Sequence, residues 1–346
     1  MTSPGGRIHF KSLKMVYIKA ISYYLPERIV TNEELVAEFP EWTVDKIADK
    51  VGVHERRVAD EGETSADLAI KAAELLFEDN TSIKKEDIDF VLLCTQSPDY
   101  FLPSSACIIQ ERLGLPTSCG AFDFNLGCSG YIYGLAVAKG LIAGGIAKNV
   151  LLLTGETYNK YLHPRDKGNR TIFGDAASAT VVSEDGFARI GEFALGTNGA
   201  GAENLIVRTG GHRHPEKKGD LTFDENGNPH SSDYLFMNGA EIFTFTQKNV
   251  PVVVRQTLEK NHLSQDDVGL FVFHQANSYM LNFLRKKIKI DQDKFYVNLA
   301  QVGNTVSNSI PIALSQAMTA QKLERPVLLC GFGVGYSWGG CIITFK

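Results

Sequence analysis

Basic residues do not outnumber acidic ones in this 346-residue chain; 35 Lys and Arg face 40 Asp and Glu, a formal net charge of −5. That balance excludes a protein that coats nucleic acid, which needs a concentrated basic face. No CxxC pair occurs among the six cysteines Cys94, Cys107, Cys119, Cys128, Cys330 and Cys341, and most sit inside apolar runs. Neither a metal site nor a disulfide framework is indicated, and a reducing, cytoplasmic setting is expected. No apolar stretch reaches the length of a bilayer span, so no membrane partner is expected. The opening, MTSPGGRIHFKSLK, lacks both a long apolar core and a small-residue cleavage site. No signal peptide is expected there, and residues 1–14 read as a tag or an extended N-terminus.

What is present is an ordinary globular composition, 44% hydrophobic and 22% charged, with enough length for a sizeable core. Short β-branched runs alternate with amphipathic helical ones, the mark of α/β layering with buried strands. The order then recurs. IDFVLLCTQ leads to the helix SSACIIQERLGL, AFDFNL to the helix CSGYIYGLAVAKGLIAGG, and NVLLLTGE to a hairpin-like close, TIFGDAASATVVS. Later, GLFVFHQ leads to NSYMLNFLRKKI, FYVNLAQ to SNSIPIALSQAMTAQKL, and PVLLCGFGVG to YSWGGCIITFK. The two prefaces, TSADLAIKAAELLFED and NGAEIFTFTQKNVPVVVRQTLEKN, also correspond. The halves are expected at 15–185 and 186–346. Between them, Gly196 to Asp233 is rich in Gly, His, Pro, Asn and charge and reads as a long surface excursion. Its His212-Arg213-His214 lacks Asp, Glu or Cys at ligand spacing and reads as solvated loop.

Three residues carry chemistry. Cys128, flanked by Gly127 and Gly130, follows a buried strand and opens a helix, where unpaired N–H groups and the dipole are expected to favour thiolate over thiol. The glycines permit a sharp turn and close substrate approach. His274 in LFVFHQAN stands where a strand ends, and Asn304 in LAQVGNTVSNSIP lies in a strand-to-helix turn. Parallel strands deliver their C-terminal ends to one edge, so the three can share a pocket. A Cys, a His and an Asn together serve either hydrolysis, with His activating Cys, or acyl transfer, with His and Asn donating hydrogen bonds to a thioester enolate. The Gln and Cys-Gly-Ser-Cys-Trp surround of papain-like hydrolases is absent.

Several motifs then appear in one order: NLGCSGYIYGL, TIFGDAASATVV, HQAN, GNT followed by IP, and GFGVGYSWGG. On these, from YLPERIVTNEEL to the C-terminus, the chain resembles the β-ketoacyl-(acyl carrier protein) synthase III family of the thiolase superfamily. The pair HQAN and GNT separates it from thiolases and elongating synthases, which resemble a Cys-His-His set. The resemblance implies a thiolase-like five-layer αβαβα fold, built from two duplicated halves, and a homodimer. It implies that an acyl-CoA acylates Cys128, after which malonyl-acyl carrier protein loses CO2 and attacks the acyl-cysteine, without metal or bound cofactor. His274 and Asn304 match the residues that hold the malonyl thioester oxygen, and the N–H groups of Cys128 and Val334 fall at the oxyanion hole. Trp42 matches an adenine-stacking tryptophan, with Lys50 and Lys167 as basic CoA contacts and Gly239, Phe243, Ala276 and Asn277 along the pantetheine channel. Leu102 matches a gate that reaches across the dimer and, with Phe332, belongs to the acyl pocket. Arg285, Lys286 and Lys287 offer a basic patch for an acidic carrier protein. A related acyltransferase of a secondary or surface-polymer pathway, using another acceptor, is the alternative.

Overall fold

A computed structural model describes residues 14–320 and 323–346. The expectation for residues 1–14 therefore lies, Lys14 aside, outside the described residues. Ten strands form one sheet: β1 (Tyr17–Tyr24), β2 (Phe90–Cys94), β3 (Gly120–Phe124), β4 (Asn149–Glu156), β5 (Ala176–Ser183), β6 (Ala188–Thr197), β7 (Leu270–Phe273), β8 (Phe295–Tyr296), β9 (Val327–Gly333) and β10 (Ser337–Phe345). Their spatial order is β3-β2-β4-β5-β1-β6-β10-β9-β7-β8. The first five strands and the last five repeat one arrangement. In each, the second strand of the set runs parallel to the third and the fourth, and the remaining neighbours are antiparallel. The two sets meet through β1 and β6 at only two residue pairs, Tyr17 with Arg189 and Ile18 with Ala188.

Among the described residues seven helices have eight or more residues: the short Val44–Val51, and six that cover the sheet, α1 (Ser65–Asp79), α2 (Ser105–Arg112), α3 (Gly130–Ala143), α4 (Gly239–Lys260), α5 (Ser278–Ile288) and α6 (Ser309–Ala320). Val, Leu and Ala make β4 and β5 almost wholly buried, as strands covered on both faces require. α3 and α6 lie between the half-sheets. Leu135 and Ala138 of α3 and Ala313 and Leu314 of α6 share a core with Leu152 and Val182 on one side and Val272 and Leu329 on the other. α1 and α2 cover the outer face of the first half-sheet, α4 and α5 that of the second. The layers thus read αβαβα, a thiolase fold.

Local chemistry sets the helix ends. A capping box starts α1, with Thr64 accepting from the Asp67 N–H while Asp67 accepts from the Thr64 N–H. Asn277 caps α5 by accepting from the Met280 N–H at 2.8 Å. Two expectations change. The stretch TIFGDAASATVVS is a single strand, β5, preceded by Phe173 bridging to Asn304, rather than a hairpin. The excursion after β6 carries structure of its own. Leu205–Ile206 pairs with Phe236–Met237, and a small hairpin joins Thr222–Phe223 to Pro229–His230. No helix among the described residues is long and apolar enough to cross a membrane.

Candidate active site

The connection from β3 to α3 holds Cys128, which is 7% exposed, just before the N-cap Ser129. β9 packs directly on it. A Cβ added at Gly333 would stand 2.9 Å from the Cys128 sulfur, closer than real Cβ atoms come, so glycine is required for that approach. The backbone N–H groups of Cys128 and Val334 face the sulfur. Burial nevertheless pushes the thiol up to about 12, the Glu156 carboxyl adds to that, and the two N–H groups work the other way. The expected thiolate is therefore corrected to a thiol. Removing water from a charged sulfur costs more than the helix end returns.

His274 follows the last residue of β7 and is 2% exposed. Its N–H donates to the Cys330 carbonyl at 2.8 Å, its ring meets Phe332 edge-on at 5.6 Å, and its Nδ1 lies 2.7 Å from Ser309 Oγ. Burial takes the imidazole down to about 3, against a smaller opposing effect of the Val306 carbonyl, so the ring is neutral at ordinary pH. Its Nε2 has no hydrogen-bond partner among the described residues.

Asn304 is held by backbone on the other side. Its N–H donates to the Ile172 carbonyl at 2.8 Å and its carbonyl accepts from Gly174 at 3.0 Å. Gly303 makes the approach possible, with φ 68° and a notional Cβ only 2.7 Å from the Ile172 oxygen. Buried Arg56 braces the neighbouring segment by donating to the carbonyls of Val30 and Thr171 and to Asn32 Oδ1. Asn304 Oδ1 accepts from the Val306 N–H at 2.9 Å, which commits the amide orientation and leaves Nδ2 without a partner among the described residues. Val306 has φ 56°, a conformation a β-branched residue avoids unless its surroundings impose it. It shares an apolar cluster with Cys128, Phe173 and Val334. Cys128, His274 and Asn304 thus converge on the segment from Cys330 to Val334 and on Val306.

Glu156, at the end of β4, was not singled out by the sequence motifs. It is wholly buried and accepts from the Gln96 N–H at 3.1 Å, Ser97 Oγ at 3.2 Å and Ser307 Oγ at 3.0 Å. Burial pushes its carboxyl up to about 8 despite those donors. A charged residue closing the apolar run NVLLLTGE was the available signal.

Beside the sulfur a cavity of about 920 Å³ opens, lined by Gln96, Tyr158, Tyr161, Leu205, Leu235 and Val334 among others. Neither Phe332 nor Leu102 lines it. Side chains alternate along β9, so Gly331 and Gly333 face Cys128 while Phe332 turns to the second-half core behind His274. Leu102 is 81% exposed at the tip of a loop with Tyr100 and Phe101. Trp42 is half-buried, with the ammonium groups of Lys46 and Lys50 5.2 and 5.3 Å from its ring. Lys167 is engaged by Glu41 and the Asn226 carbonyl, the latter at 2.8 Å. Gly239 begins α4, where Phe243 packs against Tyr279 and Phe283 of α5, and Ala276 and Asn277 lead into α5. Arg285 folds back to donate to the Ile290 carbonyl at 3.2 Å, so the exposed charges there are Lys286, Lys287 and Lys289.

Two half-sheets of one topology, with a buried cysteine at a connection of the first and a histidine and an asparagine at connections of the second, are the frame of the condensing enzymes of the thiolase superfamily. Family models agree. The one described as 3-oxoacyl-[acyl-carrier-protein (ACP)] synthase III matches residues 122–199, and its C-terminal companion matches 258–345. A β-ketoacyl-[acyl-carrier-protein] synthase III of Caldanaerobacter subterraneus subsp. tengcongensis is 36% identical over 330 residues, covering 93% of this chain and 96% of that one. A crystal structure of a 3-oxoacyl-(acyl-carrier-protein) synthase III superposes with TM-score 0.92 at 47% identity, covering 96% of this chain and all of the other. A 3-oxoacyl-(acyl-carrier protein) synthase from Burkholderia xenovorans LB400 gives 0.88 at 35%, covering 96% of this chain and 95% of its own. The chain belongs to the 3-oxoacyl-(acyl carrier protein) synthase III family and is a condensing acyltransferase.

Proposed function

We propose that this enzyme condenses an acyl-CoA primer with malonyl-acyl carrier protein through acyl-Cys128, as a homodimer in the cytoplasm and without a bound cofactor. The observation that supports the reading is the pair of free donors, His274 Nε2 and Asn304 Nδ2, on residues that share Val306 as a neighbour with Cys128, whose sulfur lies under the N–H groups of Cys128 and Val334. In the first step the Cys128 sulfur attacks the acyl thioester carbonyl, the oxyanion takes the two N–H bonds, and the thiol proton leaves with CoA. In the second, the malonyl C–C bond breaks to release CO2, and the electron pair moves into an enolate whose oxygen is held by His274 and Asn304. The enolate carbon then attacks acyl-Cys128, and the cysteine sulfur departs and is reprotonated. Preorganised donors of this kind are worth about 10²- to 10³-fold each.

The hydrolase alternative needs an imidazole that takes the thiol proton. An imidazole held near 3 beside a thiol near 12 is a poor base for it, so the neutral pair favours donation over abstraction. The cavity beside Val334 suits the acyl chain. Leu102, exposed with Tyr100 and Phe101, suits a gate for the partner subunit. Trp42, Lys50 and Lys167 would meet the CoA nucleotide once Lys167 exchanges Glu41 for phosphate. The groups along the pantetheine channel would be Gly239, Phe243, Ala276 and Asn277. Lys286 and Lys287 would meet an acidic carrier protein. Intact-protein mass spectrometry after incubation with acyl-CoA tests the reading. An acyl adduct should form, vanish on adding malonyl-acyl carrier protein, and be absent from Cys128→Ala. An adduct that persists in that variant would refute the role of the sulfur.

A further inference from the structure

The ring of His274 can serve the enolate oxygen only if its proton sits on Nε2, because a neutral imidazole carries one N–H and one bare nitrogen. Which nitrogen carries it is decided on the buried side of the ring. There Nδ1 lies 2.7 Å from Ser309 Oγ, the first residue of α6. That hydroxyl accepts from the Gln275 N–H at 3.3 Å and has one proton of its own to give. Two acceptors compete for it, Nδ1 at 2.7 Å and the Val306 carbonyl at 3.0 Å, and that carbonyl also faces the imidazole, where it would accept a proton carried by the ring, so the winner of this competition decides the tautomer.

The carbonyl is already served. Ser309 donates its own backbone N–H to Val306, closing the turn between Asn304 and α6. The nitrogen has no other donor among the described residues. Buried acceptors are satisfied before they are doubly satisfied, and the shorter contact goes the same way. We propose that Ser309 is a positioning residue for the decarboxylation step, its hydroxyl donating to His274 Nδ1 and thereby fixing the proton on Nε2. The inference rests on the proposed role of His274 as an enolate donor. It makes the Val306 turn a shared device: the N–H of this left-handed residue orients the Asn304 amide, while its carbonyl, filled by the Ser309 N–H, frees the hydroxyl for the imidazole.

Nitrogen NMR of the full-length enzyme labelled with 15N-histidine reads the tautomer directly, with the His274 signals assigned by their loss in His274→Asn. The wild type should show a protonated Nε2 and a bare Nδ1; a proton on Nδ1 in the wild type overturns the proposal. Ser309→Ala should form the Cys128 adduct within about twofold of the wild-type rate. Its discharge by malonyl-acyl carrier protein should slow about 10- to 100-fold, the loss typical when the group orienting an imidazole is removed. Ser309→Thr, which keeps the hydroxyl, should recover most of it. Unchanged discharge in Ser309→Ala, or equal loss of both steps, overturns the proposal. Should Ser309→Ala fail to fold, the wild-type spectrum decides alone. Failure of the wild type to form any adduct would instead count against the acyl-enzyme, and leaves the tautomer reading standing on its own spectrum.

Discussion

The two half-sheets share one topology and divide the chemistry. Where the second strand of the first half ends, β2 is followed by Thr95 and Gln96; at the matching exit in the second half, β7 is followed by His274 and Gln275. Both glutamines reach toward the neighbouring connection. Gln96 donates to Asn125 Oδ1 at 3.1 Å, ahead of Cys128, and Gln275 accepts from the Asn298 N–H at 2.7 Å, ahead of Asn304. One residue earlier the halves part, a threonine in one and an imidazole in the other. At the next connection they part again, Cys128 against Asn304. The frame is held constant while single side chains at two exits differ, and on the proposed reading those side chains decide which half carries the acyl group and which meets the carbanion.

If that division holds, the largest effects come from the second half and fall on one step. His274→Ala and Asn304→Ala should each slow adduct discharge by about 10²- to 10³-fold and leave adduct formation near wild type. Single-turnover mass spectrometry separates the two steps, and equal losses in both would dissolve the comparison. A smaller effect should come from Gly333→Ala, on a second-half strand but aimed at the first-half sulfur. The added methyl displaces Cys128, so adduct formation should fall about 10²-fold, while discharge of the adduct that does form changes little.

The smallest and most diagnostic effect is on stability against pH. The Glu156 carboxyl, raised from 4.5 to about 8, contributes stability that is present below 4.5 and lost as pH climbs through about 8. The imidazole of His274, lowered from 6.5 to about 3, behaves oppositely and contributes stability above 6.5 that is lost as pH falls toward 3. Thermal melts across pH should therefore flatten on the alkaline side in Glu156→Gln and on the acid side in His274→Asn. A melting temperature that tracks the wild type at every pH would contradict both assignments.

Much of this was legible in the chain. Cys128, His274 and Asn304 sit at strand exits that alternating apolar runs locate directly, and the order of those runs gives the layers. What was not legible depends on partners distant in sequence or on removal from water. The protonated thiol follows from burial that a local Gly-Cys-Ser-Gly pattern does not encode. Phe332 turns away from the cavity beside Val334 because the glycines on either side of it face Cys128. Arg285 turns back to donate to the Ile290 carbonyl beyond the end of α5, and Lys167 meets Glu41 from 126 residues away. FYVNLAQ shrinks to the two-residue strand β8 because the chain must bend early to bring Asn304 beside Phe173. Nothing around Ser309 in the sequence marks the imidazole that lies beside its hydroxyl, because that ring comes from 35 residues away.

The narrow junction between β1 and β6 has a further meaning. With so little strand zipped across the midline, α3 and α6 act as a common spacer between the connection that holds Cys128 and those that hold His274 and Asn304, like shims that set the opening of a vice. Trimming or thickening a spacer side chain would alter the jaw width without touching Cys128, His274 or Asn304, which puts control of their spacing in the deepest interior.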